Sequence, residues 1–278
     1  METAQASQPQ YEVLLCPSGR LLPDFGELWA YRGLFWTLAS RTIIARYKQT
    51  LVGILWAFAQ PLMMMVVLTV LFRRIAKMSS STPLMVLAGV VAWQLFANSL
   101  MASTQSTVAY SKMISKVYFP RMIIPASACL TALVNFLFGA VVFVILMAFY
   151  GQVPPWQVVM LPVFILMTLS LSLGAGFWLS ALNVKYRDVK QALGYVIMFG
   201  MLLSPVGYRR LEVPDEWQTI YSLINPMVPI LEGFRWALLG EGEFQPASFL
   251  VSAGVCVFVL LTGILYFHRM ESKFADVI

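Results

Sequence analysis

Between Ile114 and Pro125 the chain reads ISKVYFPRMIIP, with Lys112 and Met113 just upstream. Lys112, Lys116 and Arg121 place three cations, and Tyr118 and Phe119 two aromatics, in one short connection between long apolar runs. Residues at i and i+4 share a helix face, so Lys112 and Lys116 can present paired charge to acidic groups or to phosphate. A second polar connection carries Tyr186, Arg187 and Asp188, and a third cationic group, Arg41, Arg46 and Lys48, precedes the first long apolar run. This is chemistry for gripping anions and partners, not for breaking bonds. No GxxxxGKS/T phosphate loop occurs, so the chain does not hydrolyse ATP by that route. No HExxH occurs, and no GxSxG with a His and an Asp to complete it. Cys16, Cys129 and Cys256 are scattered without CxxC spacing, and the single histidine, His268, reads as a helix-end residue.

The elements that must position these groups follow from composition. Of 278 residues, 59% are hydrophobic and 12% charged. A soluble domain is about a quarter charged, so the chain reads as an integral membrane protein, all α-helical. Its net charge of +6 bears on orientation and lipid headgroups rather than on nucleic acid. Residues 1–20 hold only Val13-Leu14-Leu15 as an apolar cluster, too short for a signal-peptide core. Targeting is therefore expected to use the first spanning helix.

Gaps between charges locate the spans. Lys48 to Arg73 encloses 24 uncharged residues, and Lys77 to Lys112 encloses 34, with a helix expected from Pro83 to Thr107. A bilayer core needs about 20 residues per helix. Arg121 to Lys185 encloses 63, broken by YGQVPPW at Tyr150–Trp156 into a hairpin of 122–149 and 157–182. Lys190 to Arg209 encloses 18 and Glu243 to His268 encloses 24. Six helices result, the fifth the shortest, within a domain spanning 49–269. With a cytoplasmic N-terminus, the inner segments hold 13 cations and the outer ones 6. The bias places both termini inside, as tails 1–23 and 270–278. Arg73, Arg74 and Lys77 fall on the outer side against it.

Residues 24–48 mix Trp29, Phe35 and Trp36 with Arg32, Arg41, Arg46 and Lys48, and predict an amphipathic helix lying in the membrane interface. Residues 207–243 predict a re-entrant or surface-lying pair, about 214–224 and 228–239, split at Asn225-Pro226. Irregular backbone at membrane depth must be buried in protein or face water. The helix centres hold no Asp, Glu, Lys or Arg, which argues against proton- or ion-coupled transport and against intramembrane carboxylate chemistry. Ser172, Gly176 and Ser180 recur every four residues, a helix-packing face. Trp56, Phe58, Trp93, Phe96, Tyr195 and Phe199 lie in or near the spans. Such aromatics anchor or pack helices; alternatively they form an uncharged surface over which sugar C–H faces slide.

Taken in order, several segments resemble the transmembrane permeases of bacterial polysaccharide ABC exporters of type 2, which move O-antigen, capsule or teichoic-acid chains. They are ARYKQTLVGILWAFAQPL (Ala45–Leu62), SKMISKVYFPRMIIP (Ser111–Pro125), LNVKYRDVKQAL (Leu182–Leu193), SPVGY (Ser204–Tyr208) and INPMVPILEGFRWALLG (Ile224–Gly240). The resemblance implies a non-enzymatic subunit of the bacterial inner membrane, a homodimer working with two copies of a separate ATPase that holds ATP and Mg, with no cofactor on this chain. It implies a channel between protomers lined by the first and fifth helices, and a polysaccharide linked to undecaprenyl diphosphate, O-antigen first. In that frame 108–121 is the coupling segment. Lys112, Met113, Lys116, Tyr118, Phe119 and Arg121, with Tyr186, Arg187 and Asp188 of the second connection 183–190, would meet the ATPase. Arg41, Arg46 and Lys48 would meet the lipid diphosphate, and 207–243 would form an outer gate. The alternatives are a type-2 exporter of a small lipid or drug, a membrane-embedded glycosyl- or acyltransferase, and a passive channel.

Overall fold

The computed structural model describes residues 25–47, 51–78, 81–186, 188–212, 214–242, 245–271 and 274. Regular structure among them is helical throughout. α1 (Phe25–Ala30) and α2 (Arg32–Tyr47) precede the bundle. α3 (Leu51–Thr69) runs on into a π-helical turn, Val70–Ile75. Then come α4 (Pro83–Ala109), the one-turn α5 (Ser111–Ile114), α6 (Ile123–Phe149), α7 (Leu161–Lys185) and α8 (Val189–Leu203). α9 (Asp215–Ile224), α10 (Met227–Leu239) and α11 (Pro246–Glu271) complete the order. The interface element expected as one helix is thus two, with the break at Tyr31.

Among the described residues, five stretches are long and apolar enough to cross a bilayer: Leu55–Ile75, Pro83–Ala109, Ile123–Phe149, Trp156–Lys185 and Pro246–Glu271. The element expected as the fifth of six spans is α8, apolar but only 15 residues long. At 1.5 Å per residue it covers about 22 Å, short of a hydrocarbon core of about 30 Å. Local chemistry sets several boundaries. Thr82 caps α4, accepting from the Met85 N–H at 3.4 Å, with Pro83 in the first turn. Gly151 takes φ 66° after α6, and Pro154-Pro155 then forces the chain out of helix before α7.

α4 is the axis of the molecule. Within its most apolar window 72% of the residues are buried, against 17% in α3. It packs along α6 and α7 and also touches α3, α8 and α10. The contacts are close because small residues face each other. A Cβ on Gly176 would lie 2.6 Å from Ser103, and Ser180 Oγ meets Thr107 Oγ1 at 2.6 Å. Asn183 donates to the Thr104 carbonyl at 3.2 Å. The Ser172–Gly176–Ser180 face, all buried, is therefore spent within one chain. α7 meets α11 through Gly174 and Gly263, where a Cβ on Gly263 would stand 2.2 Å from the Gly174 carbonyl oxygen.

The helix pair α9–α10 caps the end of the bundle where α4, α7 and α11 begin. Phe164 of α7 fills the space over Gly233 of α10, and its ring lies 5.8 Å from that of Phe249 in α11. α8 stops beneath this cap at Leu203, and residues 204–208 leave helical geometry, 204–207 of them buried. Their carbonyls are met by side chains. Tyr221 donates to Leu203 O at 2.7 Å, and Ser81 donates to Gly207 O at 2.8 Å. Arg235, 2% exposed, donates to Val206 O and Tyr208 O at 2.8 and 2.9 Å, and also to Pro205 O. The remaining carbonyl, Ser204 O, accepts the Val206 N–H at 2.7 Å. Asn225 donates to Ser204 Oγ at 2.9 Å while its own oxygen accepts the Met227 N–H at 3.0 Å, starting α10.

Charge completes this clasp. Glu232 Oε1 lies 3.1 Å from Arg235 Nη1 and accepts the Arg210 N–H at 3.2 Å. Burial pushes the Arg235 guanidinium below its ordinary value, and Glu232 pulls it back up. Burial, with the neighbouring Tyr208 hydroxyl, pushes Tyr221 up, so it stays a donor. The loop reaches α4 only because residue 89 is glycine: a Cβ there would stand 2.4 Å from Val206 O.

Removing Arg235 strands the half-buried Glu232 carboxylate and three carbonyls. Arg235→Met is expected to destabilise the protein by about 3–5 kcal/mol. Arg235→Lys should recover only part of this, because an ammonium lacks the planar fork. Thermal midpoints of both variants in detergent check the order. Gly263→Leu overpacks the α7–α11 crossing and is expected to cost about 1–3 kcal/mol or more by the same assay, whereas Gly254→Leu, with open space around the site, should be nearly neutral.

Candidate functional site: the connection between α4 and α6

The polar connections gather at the other end of the bundle, where α4 and α7 finish and α6 begins. The connection after α4 is anchored on both flanks. Tyr110 Oη meets Thr42 Oγ1 of α2 at 3.0 Å, and Ile114, Phe119, Ile123 and Ile124 bury against Leu38 of α2. On the other flank Arg121 donates to the Glu271 carbonyl at the end of α11, and Met122 packs with Phe177, Phe267 and Phe274. Glu271 in turn holds His268 at 2.8 Å. Leu28 of α1 leans on both apolar clusters. One short connection is therefore fixed to the first helices, to α6 and to the last helix together.

What projects from it is cationic and aromatic. Lys112, Lys116 and Tyr118 are exposed and Met113 is half-buried. The α-helix closes at Ile114, before Lys116, but the Lys116 and Val117 N–H groups still donate to Met113 O at 3.1 Å. Phe119 is 3% exposed, so it pins the connection to α2 rather than facing outward. Burial, then the Glu27 and Glu271 charges, push the Tyr118 hydroxyl up. In the second connection Tyr186 is exposed with Lys185 Nζ 5.0 Å over its ring, and Asp188 is exposed just before α8. Arg187 and Lys48 lie outside the described residues. Arg41 and Arg46 are exposed on α2, as is Trp36, and Trp29 is exposed on α1.

The aromatic candidates divide. Trp93 is 5% exposed, with Phe96 at 5.3 Å, and Gly200 of α8 sits against its ring. Trp93 is thus a packing residue within the chain. Phe58 is half-buried, edge-on to Phe138 at 5.1 Å. Trp56 of α3 and Tyr195 and Phe199 of α8 are exposed. Leu193 is the one buried residue of α8. A broad open groove of about 560 Å³ runs along the start of that helix, lined by Lys190, Gln191, Gly194, Tyr195 and Met198.

Sequence reasoning missed Arg235, Glu232, Tyr221 and Ser81, and the Glu271–Phe274 contacts. The Glu232/Arg235 pair at i and i+3 in an otherwise apolar helix was the available signal, since such a pair is either solvated or buried for a purpose.

Comparison with known proteins agrees with this arrangement. Residues 33–239 match the family model described as "ABC-2 type transporter". The chain is 29% identical over 253 residues to the O-antigen export system permease protein RfbA of Myxococcus xanthus, covering 90% of this chain and 97% of that one. It is 25% identical over 244 residues to a protein of the same name from Klebsiella pneumoniae, covering 87% and 93%. A family match across more than half of an all-helical membrane chain, from α2 through the clasped pair α9–α10, fixes its kinship: the protein belongs to the ABC-2 type transporter family.

Proposed function

We propose that this chain is the membrane-spanning permease of an ATP-driven exporter that moves a lipid-linked polysaccharide, O-antigen first, across the bacterial inner membrane. The names of its relatives support the substrate class. The observation that carries the mechanism is the anchoring of the α4–α6 connection to α2, α6 and α11 at once. A force on Lys112, Lys116 and Tyr118 is thereby delivered to three elements, not to a free loop.

In this reading both termini are cytoplasmic and two copies of a separate ATPase, holding ATP and Mg, dock on the exposed lysines. Their acidic clefts pair with Lys112 and Lys116. Two copies of the chain face each other across α3 and α8, whose apolar sides carry Trp56, Tyr195 and Phe199 and no ionisable group beyond the helix ends. Such a wall binds sugar C–H faces weakly and repetitively, which suits a polymer that must slide. The lipid carrier is undecaprenyl diphosphate, met on the cytoplasmic side by Arg41 and Arg46, since charge-assisted hydrogen bonds to phosphate are strong. The cap α9–α10 serves as the outer gate.

Cells lacking this chain are expected to accumulate lipid-linked polysaccharide inaccessible from outside, and the wild-type chain should restore its display. Lys112→Glu with Lys116→Glu should fail to restore it, with ATPase co-purification weakened about tenfold or more by like-charge contact and the same detergent melting point as wild type. Full display and undiminished co-purification by the double variant would contradict the coupling assignment. Normal display without the chain would contradict the function.

A further inference from the structure

The three cations that break the orientation bias sit on an unusual piece of backbone. α3 reaches them as a π-helix, Val70–Ile75, a winding that is rare and often found at functional sites. The chain then turns out through a cap in which the Ala76 N–H donates to Leu71 O at 2.9 Å and the Met78 N–H to Phe72 O at 3.0 Å. Lys77 occupies the left-handed position of this cap at φ 57°, alone among the described non-glycine residues. That position normally falls to glycine, and a side chain there costs about 1–2 kcal/mol. The turn therefore holds a cation where the backbone favours none.

Arg73, Arg74 and Lys77 are all exposed, and no carboxylate among the described residues pairs with them. Their neighbours at this end differ: Arg209 is paired with Glu241 and Arg235 with Glu232. The same turn touches the clasp. Phe72 lies so close over Gly207 that a Cβ there would stand 2.2 Å from the ring, and the Phe72 and Tyr208 rings are 5.3 Å apart. Gly207 and Tyr208 are the residues whose carbonyls Ser81 and Arg235 hold.

We propose that the turn Val70–Met78 is a phosphate site on the outer side of the membrane, taking the diphosphate of an isoprenoid lipid and passing its arrival through Phe72 to the clasped loop 204–208. The inference rests on the exporter reading, which supplies such a lipid and defines which side is outer. Three cations on one turn suit two adjoining phosphates. A helix C-terminus also favours cations through its dipole, and long basic side chains reach headgroups of any bilayer. Those effects make no distinction between a diphosphate and an ordinary phospholipid, and the site does.

The test uses the full chain with its ATPase in phosphatidylcholine nanodiscs, carrying Cys16→Ser and a fluorophore on Ile75→Cys, an exposed position of the turn. Polyisoprenyl diphosphate, phosphatidylglycerol and inorganic pyrophosphate are titrated in parallel, with ATP hydrolysis followed throughout. The fluorophore should respond to polyisoprenyl diphosphate at a mole fraction about tenfold below that needed for phosphatidylglycerol. Arg73→Gln with Arg74→Gln and Lys77→Gln should weaken that response about tenfold or more, as loss of charge-assisted hydrogen bonds implies, at an unchanged melting point. An unchanged response in the triple variant, or equal potency of phosphatidylglycerol or pyrophosphate, would overturn the site. If polyisoprenyl diphosphate alters ATP hydrolysis while the fluorophore stays silent, this inference alone fails. If it alters neither, the exporter reading fails with it.

Discussion

The structure depends on satisfying the last carbonyl of α8 and the five that follow it, where the chain leaves helix against the protein interior. Away from water each unpaired carbonyl is costly, and neither the end of α8 at Leu203 nor residues 204–208 have further helix to supply donors. Arg235 meets three of them, Ser81 and Tyr221 one each, and the loop itself the last. Because these donors come from α10, α9 and the approach to α4, the short α8 and the cap α9–α10 form one unit. Gly89 lets that unit close against α4.

A clasp of this kind has no trigger of its own. Arg235 is always charged, Tyr221 is held as a donor, and the spans carry no Asp, Glu, Lys or Arg at their centres. At the opposite end one basic connection is bolted to α2, α6 and α11, which is where the proposed exporter reading has the ATPase push. α3 and α8 both pack on α4 and leave apolar sides uncovered, the sides that the proposed exporter reading sets against a second copy.

Much of this was legible in the residues. Charge gaps located the long spans because a bilayer leaves no place for ions, and Gly151 with Pro154-Pro155 marked the hairpin between α6 and α7. The split at Asn225-Pro226 gave α9 and α10 to within a residue, since Asn225 starts the second helix by accepting the Met227 N–H. The length of α8 was not legible. Its apolar run continues through Ser204–Tyr208, and hydropathy does not register that these residues are held by side chains instead of by helix. Arg235 looked like one more outer cation, and Phe119 like part of a docking face, because burial on both is set by partners distant in sequence: Tyr208, Pro205 and Val206 for the first, Leu38 of α2 for the second. Trp93, chosen as a channel aromatic, is packed within the chain by Gly200 for the same reason.

The division of labour between a passive wall and a borrowed motor is tested most directly in sealed vesicles holding the purified chain and a lipid-linked polysaccharide on the face that bears Lys112 and Lys116. Transfer of the sugar to the opposite face, read with an impermeant lectin, is predicted only when the ATPase and hydrolysable ATP are both present. Transfer by the chain alone, or with ATPase and a non-hydrolysable nucleotide, would contradict the account.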